Sequence, residues 1–412
     1  MTLAYNIGIG IYYLLVLLVS PFNQKARFWV NGRKKWAEKL KAGILPGAQY
    51  AWFHASSLGE FEQGRPIMEA LKQQSPDIKI LLTFFSPSGF EIRKNYTGAD
   101  FICYLPLDTK RNARKFIQIV NPEQVFFVKY EYWYHFLKQL KQSRAKLYLV
   151  SGIFRKEQLF FKPYGRWYRK MLGFFDHLFV QNNESAALLG SVGILNHSVA
   201  GDSRFDRVAQ LAAQSKDIEA AGMFVQGARV IVAGSTWEPD EQILAEYMQT
   251  AANDIKLVIA PHEIDKAHIA QLKEKIKLPY TLFSEAVPDN LKNSRVLIID
   301  NIGMLSSLYK YGHLAYIGGG FGAGIHNILE AAVYGIPVVF GPKYNKFAEA
   351  LDMLNIGAAY SVNNQDGFKQ LADNFFSNDN SLRSAGEAAA QYVNRKTGAT
   401  TLILNHLKKT GQ

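Results

Sequence analysis

A carboxylate in the loop just after an apolar strand stands where the chemistry of an α/β protein is to be sought, and this chain has two. The first lies in His54-Ala55-Ser56-Ser57-Leu58-Gly59-Glu60. There Glu60 could act as a general base, although Ser57-x-x-Glu60 is also a capping box in which the carboxylate only satisfies a backbone N–H, and the residues alone favour the cap. The second lies in Val128-Lys129-Tyr130-Glu131-Tyr132-Trp133. Glu131 would be costly to bury without a partner, and the plain alternative to a functional role is an ion pair with a nearby Lys or Arg.

Other stretches suit anions. Thr83-Phe84-Phe85-Ser86-Pro87-Ser88-Gly89-Phe90-Glu91 runs from strand into helix with hydroxyls and free amides at the positive end of the helix dipole, and ordinary Ser capping accounts for it nearly as well. Ala233-Gly234-Ser235-Thr236-Trp237-Glu238-Pro239 has the same form, with Pro239 suited to a first helical turn. The most specific stretch is Tyr316-Ile317-Gly318-Gly319-Gly320-Phe321-Gly322-Ala323-Gly324-Ile325-His326-Asn327-Ile328-Leu329-Glu330. A strand, a glycine loop and a helix form a nest for phosphate or carboxylate, with Glu330 one turn inside the helix to accept ribose hydroxyls. A dinucleotide fold would add an acid after the next strand, where Phe340-Gly341-Pro342-Lys343 has none. The nine His are scattered and Asp-x-Asp is absent from the sequence, so no metal and no cofactor is expected, and His54 and His326 read as loop hydrogen-bonders.

The elements that must hold these loops alternate short apolar runs with helix-length amphipathic segments, the pattern of a parallel α/β protein. Strands are predicted over 50–54, 78–84, 100–104, 124–128, 146–150 and 178–180, then over 229–233, 256–259, 295–299, 314–317 and 337–340. Two Rossmann-like domains facing a cleft follow, 21–205 and 206–412, joined by a linker helix over 206–224.

Charge and hydropathy suggest partners. Residues 1–205 carry 28 Lys and Arg against 14 Asp and Glu, and the remainder carries 19 against 21, so the excess of +12 belongs to the first half. That half faces an anionic partner or is simply a well-solvated surface. The only cysteine, Cys103, sits in an apolar run and leaves no internal disulfide. Residues 3–19 are uncharged and largely apolar, near the lower limit for crossing a bilayer, and Lys25, Arg27, Arg33, Lys34, Lys35, Lys39 and Lys41 follow at once among Phe28, Trp29 and Trp36. The expectation is an uncleaved anchor over 1–20 with the body on the cytoplasmic face, facing anionic lipids of an inner membrane. A cleaved signal peptide would want a basic n-region and a small-residue cleavage site, which the run lacks, and an in-plane helix is the other geometry.

Taken together these motifs resemble the Kdo transferases, metal-independent inverting glycosyltransferases of GT-B fold that use CMP-Kdo and a lipid A precursor. His54-Ala55-Ser56-Ser57-Leu58-Gly59-Glu60 is similar to the family's H-A-x-S-x-G-E, which implies that Glu60 is the general base. Phe85-Ser86-Pro87-Ser88-Gly89-Phe90-Glu91 echoes T-x-T-P-T-G-x-E, and with Ser57 and Gly59 it places Ser86, Ser88 and Gly89 on the acceptor side. Tyr104-Leu105-Pro106-Leu107-Asp108 resembles Y-L-P-x-D. Glu131-Tyr132-Trp133 looks like E-L-W and Gly201-Asp202-Ser203-Arg204-Phe205-Asp206 like G-N-x-K-F-D, which gives Glu131 and Arg204 the role of stabilising the transition state. Gly234-Ser235-Thr236, the glycines Gly319 and Gly320, His326-Asn327-Ile328-Leu329-Glu330 and Pro337-Val338-Val339-Phe340-Gly341-Pro342 imply the CMP side.

The donor loops also depart from the family. Pro261-His262-Glu263-Ile264-Asp265 stands where the family has P-R-H-P-E, Ile302-Gly303-Met304 where it has M-G-E, and Lys343 where a His is usual. Neutralisation of the donor phosphate would then fall to His262, Lys266 or Lys343. Three other readings compete: a GT-B transferase or epimerase using a UDP-sugar, a membrane-tethered lipid-binding scaffold without chemistry, and a nucleic-acid binder, for which no recognition motif is present.

Overall fold

The computed structural model describes residues 1–410. They form two compact units, Met1–Arg207 joined by the C-terminal segment from Thr397, and Val208–Lys396. Each is built on a parallel sheet of seven strands.

In the first unit the strands are β1 (Tyr50–Ala55), β2 (Lys79–Phe84), β3 (Phe101–Tyr104), β4 (Gln124–Val128), β5 (Lys146–Gly152), β6 (His177–Val180) and β7 (His197–Val199), in the order β3-β2-β1-β4-β5-β6-β7. Strands covered on both faces must be apolar at successive positions, because neighbouring side chains point to opposite sides. Trp52, Phe127 and Leu147 accordingly belong to one core layer, and Phe53, Phe126 and Tyr148 to the other. The chain reverses its direction of travel across the sheet between β1 and β4, the place where open α/β sheets bind ligands.

The second unit repeats the plan with β8 (Arg229–Thr236), β9 (Ile255–Pro261), β10 (Tyr280–Leu282), β11 (Val296–Ile298), β12 (Leu314–Ile317), β13 (Val338–Phe340) and β14 (Ala359–Ser361), in the order β10-β11-β9-β8-β12-β13-β14. Its reversal falls between β8 and β12.

All eleven expected strands are present. The three unforeseen ones, β7, β10 and β14, are each three residues long and lie at sheet edges, where packing on two faces does not demand a long apolar run. The expected linker helix over 206–224 is instead two helices, Ser203–Ala213 and Glu219–Val225. Tertiary contacts break it: the Tyr311 hydroxyl takes the Ile218 N–H at 2.7 Å, and Lys310 pairs with Asp217 at 2.6 Å.

The domain limits also differ from the expected 21–205 and 206–412. The final helix, Ala399–Thr410, returns to the first unit, where Ile403, Leu404 and Leu407 are buried in the layer that holds Phe53 and Phe179. Asp206 fastens the crossing by accepting the N–H groups of Gly398 and Thr400 at 2.6 and 2.7 Å.

The N-terminal helix Thr2–Val19 is the one described helix long and apolar enough to cross a bilayer. It also lies against the first unit along one side. Thr2 accepts from Trp167 at 3.2 Å, Tyr5 donates to the buried carboxylate of Asp108, Asn6 meets His135 at 2.7 Å, and Tyr12 stacks on Phe85. Asp108 also receives the N–H groups of His135 and Phe136, and burial pushes its carboxyl up to about 6. The opposite face, with Leu3, Ile7, Ile11, Leu14, Leu15 and Leu18, is exposed.

Candidate functional site

The ends of β1 and β4 meet in a buried hydrogen-bond network. His54, fully buried near the end of β1, has Nδ1 2.9 Å from the Thr83 hydroxyl of β2 and Nε2 2.9 Å from Oε2 of Glu131. Trp133 Nε1 donates to the same Glu131 oxygen at 2.5 Å, and the Ser56 hydroxyl donates to the other at 2.5 Å. Trp52 Nε1 donates to Thr83 Oγ1 at 2.7 Å. These bonds run as one chain from Trp52 through Thr83 and His54 to Glu131, with the roles of the two ring nitrogens set by the tautomer. Burial alone would raise the Glu131 carboxyl, but the hydrogen bond and the charge of His54, followed by the hydrogen bonds of Ser56 and Trp133, outweigh it and hold the group below its ordinary value. The partner of Glu131 is thus His54, not a Lys or Arg, and His54 sits in a strand rather than a loop.

Glu60 closes the expected capping box: its Oε2 accepts the Ser57 N–H at 2.9 Å. The same carboxylate is half-buried, and burial followed by the charge of Glu131 raises its proton affinity above that of a free Glu. Cap and base are therefore compatible, since one oxygen holds the helix start and the environment makes the group a better proton acceptor. Glu60 is therefore not an unperturbed carboxylate.

Ser86 caps the helix Pro87–Arg93, accepting the Ser88 N–H at 3.3 Å, and its own N–H reaches the Ser56 carbonyl at 2.8 Å. Gly89 must be a glycine because a Cβ there would lie 2.4 Å from the Phe84 ring and 3.1 Å from the Ser57 carbonyl carbon. The two helix starts, Ser57 and Ser86, are thereby pressed together beside Glu131. Lys129, with φ +67°, holds left-handed backbone just before Tyr130 and Glu131, a conformation that costs of order 1 kcal/mol and tends to gather at functional loops.

Arg204 is turned toward Asp202, with Nε at 2.9 Å and Nη2 at 2.8 Å from Oδ2. Gln63, on the helix that begins at Leu58, holds the other oxygen of Asp202 at 3.1 Å. Arg204 is thus placed by a carboxylate and not by Glu60 or Glu131 directly.

In the second unit the loops after β8, β9 and β12 converge. The Gly318 N–H donates to Gly234 O at 2.9 Å and the His262 N–H to Thr236 O at 2.9 Å. A Cβ on Gly318 would lie 2.2 Å from the carbonyl oxygen of Ser235, so only glycine permits this approach. Ser235 is itself left-handed, at φ +53°. His262 stacks between Trp237 and His326, with ring centroids at 4.7 and 4.5 Å, and Trp237 Nε1 meets His326 Nε2 at 3.2 Å. Burial and the neighbouring His262 lower the proton affinity of His326.

The glycine loop is less open to an anion than its sequence suggests. The N–H groups of Gly318, Gly322, Gly324 and His326 are taken within the unit, and that of Gly319 donates to Asp240 at 2.9 Å. Asp240 is fully buried, also accepts from Trp237 N and the Tyr316 hydroxyl, and fixes the loop to β8 and β12. Its local setting, an acid in the first turn of a helix, gives no sign of this role. Asn327 and Glu330 pair at 2.9 Å, and the helix starts at Leu329, so Glu330 lies in its first turn rather than one turn inside. Ile302 is 87 % exposed, Gly303 is left-handed, and Met304 caps the helix Leu305–Leu308. Pro261 ends β9, and Lys343 donates to Phe321 O. Among the described residues no cluster of three His, Cys, Asp or Glu is arranged to hold a metal ion.

Residues 30–207 match the family model described as 3-deoxy-D-manno-octulosonic-acid transferase (kdotransferase). Proteins named 3-deoxy-D-manno-octulosonic acid transferase from Aquifex aeolicus and Haemophilus influenzae are 29% and 24% identical. The alignments cover 76% of this chain and 82% of the first, and 88% of this chain and 87% of the second. Among solved structures, the UDP-GlcNAc 2-epimerase of Neisseria meningitidis bound to UDP-GlcNAc aligns over 88% of this chain and 100% of its own, with TM-score 0.61 at 14% identity. The S. aureus MnaA–UDP complex aligns over 87% and 96%, with TM-score 0.57 at 15% identity. At such identities these structures speak to the fold alone.

Proposed function

This chain belongs to the Kdo transferase family, a glycosyltransferase built from two Rossmann-like units in the manner of the GT-B fold, and we propose that it moves Kdo from CMP-Kdo to a lipid A precursor in lipopolysaccharide synthesis. The observation that carries the mechanism is the pair Glu60 and Glu131, two carboxylates whose proton affinities the fold drives apart. Glu60 takes the proton of the acceptor hydroxyl as that oxygen attacks the anomeric carbon. The bond from that carbon to the phosphate oxygen breaks, CMP leaves with the electron pair, and one displacement inverts the configuration. Glu131 remains ionised, and its negative charge stabilises the positive character that develops on the sugar ring. Arg204, held by Asp202, is assigned to the negative charge that gathers on the departing phosphate.

CMP is assigned to the second unit, with Ser235 and the Trp237–His262–His326 stack at the phosphate and the Asn327–Glu330 pair at the ribose. The departing group carries one phosphate, so histidine and lysine side chains can meet its charge without a divalent ion; excess EDTA should leave the rate unchanged. The exposed apolar face of the N-terminal helix attaches the enzyme to the cytoplasmic face of the inner membrane. The contacts of the opposite face favour a helix lying in the membrane surface over one that spans it.

The test is transfer from CMP-Kdo generated in situ to a lipid A precursor in detergent, comparing the natural protein with Glu60→Gln. Glutamine can keep the cap but cannot take the proton, so the rate should fall about 10²-fold or more. Equal rates would leave Glu60 a cap, and no transfer by the natural protein would sink the reading.

A further inference from the structure

Asp108, the acid that ends Tyr104-Leu105-Pro106-Leu107-Asp108, has no part in the reaction as described, yet it is 1 % exposed. Its donors are neutral. Oδ2 accepts the Tyr5 hydroxyl and, at 3.0 Å, the His135 N–H, and Oδ1 accepts the Phe136 N–H at 3.0 Å. A carboxylate held in the core by neutral donors alone is costly.

The two N–H groups belong to the first turn of the helix Tyr134–Lys141, which starts where Glu131-Tyr132-Trp133 ends. A helix start is ordinarily capped by the side chain of the residue just before it. Here that residue is Trp133, and it makes no capping bond. Its indole is committed to Glu131, with Nε1 2.5 Å from Oε2. Asp108 supplies the missing cap from a segment distant in sequence, and its negative charge suits the positive end of the helix dipole.

The N-terminal helix reaches the same place from the other side. Tyr5 donates to Asp108, Asn6 meets His135 at 2.7 Å, and Tyr12 stacks on Phe85 with ring centroids 6.1 Å apart. Tyr5 and Tyr12 stand at the i, i+7 spacing that puts two residues on one helix face. Phe85 in turn lies 4.5 Å from the Trp133 ring. The helix thus meets Trp133 by two routes, one through Asp108 and the capped helix start and one through Phe85, and Trp133 holds Glu131.

We propose that Asp108 is a positioning residue for Glu131, and that docking of the N-terminal helix on Asp108 seats the loop in which Trp133 grips that carboxylate. The proposal rests on the reading of Glu131 as the charge that stabilises the transition state. The N-terminal helix then does more than attach the enzyme to a membrane: drawn off Asp108 and Phe85 it leaves Glu131 loosely held, so turnover is highest with the helix docked.

Asp108→Asn keeps the shape of the side chain but has one acceptor oxygen instead of two, so an N–H of the helix start loses its partner. In the full-length protein in detergent, kcat for transfer should fall about tenfold or more with KM for CMP-Kdo unchanged, because a misplaced group lowers turnover without touching donor binding. The indole N–H resonance of Trp133 in tryptophan-labelled protein, identified by its disappearance in Trp133→Phe, should move in Asp108→Asn. Tyr5→Phe leaves the cap in place and should move the resonance the same way and lower kcat by a smaller factor; if Asp108→Asn does not fold, Tyr5→Phe carries the test. Asn182→Ala removes an ordinary cap of the same unit, one that accepts the Ser185 N–H at 2.9 Å. It should lower the melting temperature and change neither kcat nor the resonance. An unaffected kcat or an unmoved resonance in the Asp108 and Tyr5 variants, or equal changes in Asn182→Ala, would overturn the proposal while Kdo transfer by the natural protein stands. If the resonance follows the expected pattern and the natural protein transfers no Kdo, the seating of Glu131 stands and the reaction assignment fails.

Discussion

His54 joins β1 to the loop after β4 by placing Nε2 2.9 Å from Oε2 of Glu131, with His54 fully buried and Glu131 left only a narrow opening to solvent. The bond sets the position and the charge state of one carboxylate, which in turn bears on the proton affinity of the other, Glu60.

Removing His54 should therefore damage the fold and the chemistry together. His54→Ala leaves a buried carboxylate short of a donor, which costs about 2–3 kcal/mol for a hydrogen bond to a charged group. Urea denaturation should show the loss, and the transfer rate of the still-folded fraction should fall. A variant as stable and as active as the natural protein would show that the link is incidental.

The pH profile should report the raised proton affinity of Glu60. A base works only when ionised, so activity is lost as pH falls through its folded-state pKa, and the acid limb of kcat/KM should lie above the ordinary Glu value of about 4.3. Neutralising the neighbour in Glu131→Gln removes a contribution that raises this value. The limb of its residual activity should move to lower pH, and an unmoved limb would assign it to another group.

Gly318→Ala should cripple the second unit selectively. The new Cβ meets the carbonyl oxygen of Ser235 and the Cα of Thr236, both backbone atoms that cannot swing away. The melting temperature should fall, and stabilisation by CMP should be reduced about tenfold in apparent affinity. UDP should protect neither protein as CMP protects the natural one; equal protection by UDP would favour a uridine-sugar enzyme.

Membrane attachment should depend on one face of the N-terminal helix. Ile11→Asp with Leu18→Asp, both at exposed positions, should release the protein from vesicles containing anionic lipid without changing its melting temperature. Tyr5→Phe removes the hydroxyl that Asp108 accepts and should instead lower stability by about 1–3 kcal/mol while the protein stays bound. If a cysteine at position 3 is labelled only from the far side of sealed inside-out vesicles, the helix spans the bilayer and the in-plane assignment is wrong.

Much of this molecule is written locally in the sequence. The apolar runs of the inner strands, the Ser57-x-x-Glu60 cap and the glycine run after β12 are legible because strand burial, helix capping and tight turns each act over a few residues. Family-like motifs marked Glu60, Glu131 and the donor loops before any fold was known. The edge strands β7, β10 and β14 were not legible, since three half-covered residues leave no periodic signal. The return of Ile403, Leu404 and Leu407 to the first unit was hidden for a different reason: an apolar stripe states that a helix must be covered, not by what.

The chemistry of the site belongs to the tertiary structure. That His54, 77 positions away in the chain, would be the partner of Glu131 depends on β1 and β4 being neighbours across the sheet. That Asp240 would claim the Gly319 amide, and that Tyr5 would tie an apolar helix to a buried carboxylate, likewise depend on contacts distant in sequence. Proton affinities follow burial and neighbouring charge, and both exist only once the chain has brought distant residues within a few ångströms of one another.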